Sequence, residues 1–464
     1  MITLTATLPC GLPPAWAVWE RHLFALLDEA VTPFWGKYLR PDGRLIWRAK
    51  MEETWQPRDG VDDFYEAVYN WPLLYLLGGG DHLLTRSHTA WEGITAQLTE
   101  MGMLKDDFDI GYDQFHISEG QLFFDFLCMA DPTNQAMIAR ARRFAGWYLN
   151  EDPAALNYDP QRQIIRAPHT GSSGPRWGYL TDEPPTFPWA AAMRRYGLPF
   201  SDVPGVTTYD DLRDPAQAAA MGAAVQARMG RGDVATNLLA TTIVANAALL
   251  TGETKYTEWI ATYVAAWQQR AQANGGVLPD NVGLSGEVGE YLAGKWYGGL
   301  YGWTWPHGFH NIGAAAFVAA ANAFVLTRDA RFLALPRDQL RAIMGHGEMR
   351  DGDPSDMTLH HHWASIFAAL DPPHTTWLIP YRYGDGGWFD YQPLPPSYPI
   401  SLWALSMALG DAQAITHLRE VGRYDWRQVF AMRTKEDSGH EAPWFTFLAG
   451  ENPEYPVTIL AQAC

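Results

Sequence analysis

The sequence predicts an all-α protein whose paired helices close into a ring, an (α/α)6 toroid, and three observations predict it. Apolar residues recur at three- and four-residue spacing through most of the chain, while the alternation of a half-buried strand is scarce. The helical stretches fall in consecutive pairs. The connections differ in kind: ADPTN at 130–134 and LTGET at 250–254 are minimal, whereas 101–114, 157–188, 274–309 and 374–399 are long and loaded with glycine, tryptophan, histidine and acids. Short turns at one end and decorated loops at the other are what a ring with one functional face requires.

In order, the periodicity predicts helices over 14–31, 61–77, 83–100, 115–130, 134–149, 212–229, 234–250, 254–273, 310–327, 337–346, 358–370, 400–409 and 411–421. No fixed period relates one pair to the next, which argues against a solenoid of near-identical repeats. With 464 residues, 47% hydrophobic and only 19% charged, the chain can bury a large core, and a single barrel domain over 1–464 is expected.

The net charge of −18, without any Lys/Arg cluster, argues against nucleic acid as a partner. A small acidic substrate stays compatible, because one or two local cations hold a carboxylate whatever the global charge. Cys10, Cys128 and Cys464 form no metal-ligand spacing and read as reduced thiols. No basic n-region leads into an apolar stretch at the N-terminus, and no run approaches eighteen apolar residues, so a cytoplasmic protein is expected. No cofactor and no metal is expected. The sequence is compatible with a homo-oligomer without requiring one.

The chain has 21 Trp, 21 Tyr and 20 Phe, yet its mean hydropathy is −0.21. Rings in such excess suit either a large helical core or a cleft where flat faces meet a ligand.

Four segments could carry chemistry. VDDFYEAVYNWPL at 61–73 places Asp62, Asp63 and Glu66 at the front of an apolar run. DDxxE there resembles the Mg²⁺ motif of class I terpene synthases, but the second metal motif of those enzymes is missing. Capping of the first turn explains the acids as well. Asp62 is expected as the cap and Asp63 as the residue facing a cleft. GYDQFHISEGQLFFDFL at 111–127 sets Asp113, His116 and Glu119 at a helix start, with His116 and Glu119 on one face. Glu119 leads into an apolar helix, where partial desolvation would suit a general acid.

NGGVLPDNVGLSGEVGEYLAGKWYGGLYGWTWPHGFHN at 274–311 is rich in glycine, which lets backbone approach a ligand. Trp296, Trp303 and Trp305 would offer platforms for sugar rings, with His307 beside them, and Asp280, Asn281 and Lys295 would offer polar contacts. In IIRAPHTGSSGPRWGYLTDEPPTFPW at 164–189, Arg166, His169 and Arg176 read as a carboxylate clamp or as ordinary surface cations. HHH at 360–362 and RDGDPSD at 350–356 are weaker signals. Neighbouring histidines face different sides of a helix, and the acids lack the spacing of a calcium loop.

Through DGVDDFYEAVYNWP, YDQFHISEG and PDNVGLSGEVGE…GKWYGGLYGWTWPHG, the chain resembles the (α/α)6-toroid carbohydrate-active enzymes: unsaturated glucuronyl hydrolases, exo-acting β-glucuronidases and uronate-directed lyases. The resemblance implies a glycoside hydrolase acting on a uronic-acid-containing carbohydrate, with two working carboxyl groups. Glu119 and Glu287 are the leading candidates, Asp63 and Asp113 the second choices, and His116 the tuning group. Arg166, Arg176 and Lys295 would hold the uronate carboxylate. A lyase is the nearest alternative, with His116, His169, His307 or Tyr301 as base.

Overall fold

The computed structural model describes residues 11–46, 61–177, 185–191, 193–194, 197–353, 357, 375–429 and 441–464. The expected helix 358–370 with its three histidines, Cys10 and part of 350–356 lie outside these residues. The fold is mostly helical. Helices run Ala15–Tyr38, Val61–Glu66, Asn70–Leu76, His82–Glu100, Gln114–Ala130, Gln135–Tyr148, Pro215–Met229, Thr241–Thr251, Thr254–Ala273, Phe309–Thr327, Ala334–Gly345, Ser397–Ser406, Leu409–Gly422, Glu441–Leu448 and Tyr455–Ala463.

Local chemistry sets the helix ends. The Asn134 side chain accepts from the N–H groups of Ala136 and Met137, which starts Gln135–Tyr148 at the predicted turn. Asp214 caps Pro215–Met229, and Pro215 stands at the first position, where its missing N–H costs nothing. Gly252 takes the left-handed conformation that ends Thr241–Thr251.

Several expectations change: the helix predicted over 14–31 runs on to Tyr38, and Glu441–Leu448 and Tyr455–Ala463 are helices the periodicity did not predict. The single helix predicted over 61–77 is two helices, because Pro72 has no N–H and its ring would clash with the Val68 carbonyl of a continuous helix. Trp71 N–H turns back to Val68 instead, at 3.1 Å. The stretch 374–399 is also not merely a loop. Thr375–Gly384 and Gly387–Gln392 form an antiparallel hairpin with Glu348–Asp351 as the third strand, and Asp385-Gly386 is its two-residue turn.

Packing follows the chain order. Gln114–Ala130 lies against the Val61–Leu76 helices on one side and Ala235–Thr251 on the other, and Phe309–Thr327 packs on Ala235–Thr251, Thr254–Ala273 and Ala334–Gly345. Ser397–Ser406 meets Phe309–Thr327 and Glu441–Leu448. The N-terminal helix Ala15–Tyr38 touches both ends of this series: it packs on Tyr455–Ala463, and its Trp35 stacks on Trp71 with ring centroids 5.9 Å apart.

Among the described residues, Phe309–Thr327 is long and apolar enough to cross a membrane, but neighbouring helices pack on it and half of it is buried, as expected of a core helix. One apolar core spans the helices and the central strand. A smaller one joins the 187–234 segment, including Phe200, Met221 and Val225, to Leu292, Leu300 and Trp305.

Candidate functional site

The N-terminal end of Gln114–Ala130 organises the densest group of titratable side chains. Strand Tyr112–Asp113 pairs with His169–Thr170, setting Asp113 opposite His169. The Asp113 carboxylate then caps the helix, accepting from the N–H groups of Phe115 at 3.0 Å and His116 at 3.1 Å. Its other oxygen lies 2.8 Å from His116 Nδ1. Burial works against the Asp113 charge, but the His116 cation and hydrogen bond, with help from His169 and the His116 N–H, hold its carboxyl below the ordinary range. Burial likewise opposes the imidazolium, yet Asp113, Asp62 and Glu119 outweigh it and raise His116 to about 9.

Asp62 reaches this group from the short helix Val61–Glu66, which packs against Gln114–Ala130. The Asp62 backbone lies against Gly120, where a Cβ would stand at an ordinary van der Waals distance of 3.5 Å. The Asp62 side chain is buried, and its Oδ1 has no hydrogen-bond partner among the described residues. Burial pushes its carboxyl up to about 7, with His116 opposing and Asp63 and Glu119 reinforcing the rise. The Asp62 backbone N–H also favours the charged form, but burial outweighs it and the proton is retained to near neutral pH.

The far wall comes from the glycine-rich block. Asp280 is fully buried and accepts from the N–H groups of Gly298, Gly299 and Trp303 at 3.1, 2.8 and 2.6 Å. Burial raises its carboxyl to about 6, moderated by those donors. Gly302 is required here, since a Cβ would come within 2.0 Å of the Asp280 carboxylate. The loop so pinned carries Tyr301, a non-glycine residue at φ 53°, with its ring 6.1 Å from that of His116 and edge-on to Trp305 at 5.3 Å. A left-handed tyrosine persists only where its surroundings fix it.

The expected site residues therefore divide. Asp113, His116, Glu119 and His169 come together. Asp62 joins them from a buried position, while its neighbour Asp63 is exposed. Glu287 is exposed on the 283–287 turn, where its carbonyl accepts from Gly283 N–H. Asp280 and Asn281 are structural. Asn281 donates to Asp280 and to the Lys295 carbonyl and accepts from Gly289 N–H.

Trp303 is core, its indole N–H donating to the Leu278 carbonyl at 2.8 Å, so it offers no sugar platform. Trp305 is buried in the smaller apolar core, and half-buried Trp296 stacks on Tyr383 at 4.6 Å. His307 lies at the start of Phe309–Thr327, its ring 6.3 Å from that of His310. Arg176 bridges back to the Gly111 carbonyl at 3.2 Å, while Arg166 is half-buried and its Nε has no partner among the described residues. Lys295 belongs elsewhere: its ammonium is held by Asp385 at 2.8 and 3.0 Å.

Sequence reasoning gave Asp62 only a capping role and missed Asp385. The Y-G-D-G-G-W string at 383–388 was the signal for the second, a hairpin turn flanked by aromatic strands. Among the described residues, no three His, Cys, Asp or Glu side chains are grouped as metal ligands.

Fold and site thus define a mostly helical protein with a buried carboxyl–imidazole cluster at a helix N-terminus. The chain belongs to the DUF8034 family, a domain of unknown function, whose model matches residues 3–464. No curated protein and no solved structure matches it.

Proposed function

We propose that the protein is a glycoside hydrolase acting on uronic-acid-bearing, glucuronide-like glycans, built as a single closed (α/α)6 toroid. The contact of Ala15–Tyr38 with both the first and the last helices supports the closed ring. The observation that carries the activity is Asp62, a buried carboxyl titrating at about 7 within the electrostatic reach of His116 and Glu119. Glycoside hydrolysis needs one protonated and one ionised carboxyl group, and environments that push two acids apart supply that pair.

In this reading Asp62 gives its proton to the glycosidic oxygen as the C1–O bond breaks, and the bonding electrons leave with that oxygen. Glu119 serves as the second carboxylate, either attacking C1 itself or taking a proton from the water that does, so that a water oxygen ends bonded to C1. Asp113 fixes His116 through Nδ1, which leaves the Nε2–H to donate to substrate. The first turn of Gln114–Ala130 contributes the positive end of its dipole, which favours an anionic sugar, and Arg166 supplies a donor for the uronate carboxylate.

Tyr301 favours a second reading, an eliminative lyase, because a tyrosine held at φ 53° beside an imidazolium suits a proton-transfer role. One experiment separates the two. Chromogenic glucuronides and oligomeric uronates are incubated with the enzyme, and products are followed by reducing ends and by ultraviolet absorbance of an unsaturated uronate. Reducing ends without new absorbance support hydrolysis, absorbance supports elimination, and neither with any uronate overturns both.

A further inference from the structure

We propose that a second site, separate from the His116 cluster, binds a small carboxylate-bearing molecule of about one sugar ring. A cavity of about 290 Å³ opens between the 198–202 segment, the 291–298 loop and the turn of the 375–392 hairpin. Its volume lies at the small end of ligand pockets. None of its lining residues belongs to the His116 cluster.

Three cations face it, Arg228, Lys295 and Arg382, with two lining carboxylates, Asp202 and Asp385, while Asp390 acts on Arg382 from outside the lining. Arg382 spends one nitrogen on the Thr304 carbonyl and lays its guanidinium over Phe389, 4.7 Å from the ring centroid. Arg228 is held by Asp202 at 2.7 Å and lies over the Phe200 ring at 4.6 Å. Lys295 and the Tyr297 hydroxyl both donate to Asp385. Arg228 and Arg382 are thereby held by contacts other than the lining acids, whereas the acids remain wet: the side chains of Asp202 and Asp385 are each 54% exposed.

An exposed carboxylate on a pre-positioned cation gains little from the pairing, so a ligand carboxylate entering the cavity can displace it. Tyr291, Tyr297 and Phe389 supply ring faces and hydroxyls for the remainder of such a ligand. Asp385 acts in this scheme as a resident competitor, lowering affinity until a better-held carboxylate replaces it.

The test is calorimetric titration of the full chain with glucuronate, and with glucose as the uncharged match. Glucuronate binds and glucose does not. Lys295→Gln weakens glucuronate binding by roughly tenfold or more, the worth of one charge-assisted hydrogen bond. Asp385→Ala strengthens it severalfold, a gain that a merely structural acid would not give. Equal binding of both sugars, no binding of glucuronate, or binding indifferent to Lys295→Gln overturns the proposal. Weaker binding in Asp385→Ala, with the variant folded by circular dichroism, overturns the displacement.

Discussion

His116 carries most of the electrostatic consequence at the residue scale. Its pKa rises from an ordinary 6.5 to about 9 on folding, so its contribution to stability is fully present below pH 6.5 and is lost as pH rises through 9. The loss is on the order of 3 kcal/mol, read by denaturant unfolding at a series of pH values, and His116→Gln removes that slope. Asp62 acts with the same sign by a different route. A carboxyl raised from 3.8 to about 7 destabilises the fold progressively between those values, because there the unfolded state ionises while the folded state keeps its proton. Asp62→Asn is therefore expected to unfold at higher denaturant than wild type at pH 8 and to match it near pH 4. Asp113 could be read from the sequence as a cap, since Asp-Gln-Phe-His needs only local geometry. The choice between Asp62 and Asp63 could not, because adjacent helical residues point about 100° apart and only the packing of Val61–Glu66 on Gln114–Ala130 selects which is buried.

At the scale of elements, the 298–305 loop depends on one side chain. Asp280→Ala leaves three buried N–H groups without their acceptor and is expected to cost about 3 kcal/mol or more. Limited proteolysis should find new cleavage near 298–305 in that variant, and activity should fall through misplacement of Tyr301. Unchanged protection would show that the loop is held by other means. The aromatic richness of this block was visible in the sequence, but its division into core and cleft was not. Trp303 and Trp296 stand seven residues apart in a segment with no regular period, so no face could be assigned until Asp280 was seen to turn the chain. The hairpin after residue 375 failed for another reason, since its strands are buried enough to lack clean alternation and only the Asp-Gly turn betrays it.

At the scale of the whole molecule, the helix pairs were largely legible because amphipathic periodicity is a local property. The proposed ring closure is not, as it rests on Ala15–Tyr38 meeting Tyr455–Ala463 from the other end of the sequence. Trp71→Ala removes the ring on which Trp35 stacks and should cost about 3–5 kcal/mol. In a closed ring this lowers the midpoint of one cooperative transition; an early partial transition, with the remainder unaltered, would instead indicate an open array.

The assignment of Asp62 as the acid is tested most directly by the pH dependence of kcat/KM on a chromogenic glucuronide, measured for wild type, Asp62→Asn and Asp63→Asn. Wild type should lose activity as pH rises through about 7, and Asp62→Asn should fall by roughly 10²–10⁴ and lose that limb. Asp63→Asn should follow the wild-type profile. Near-normal turnover in Asp62→Asn, or a loss confined to Asp63→Asn, would contradict the account.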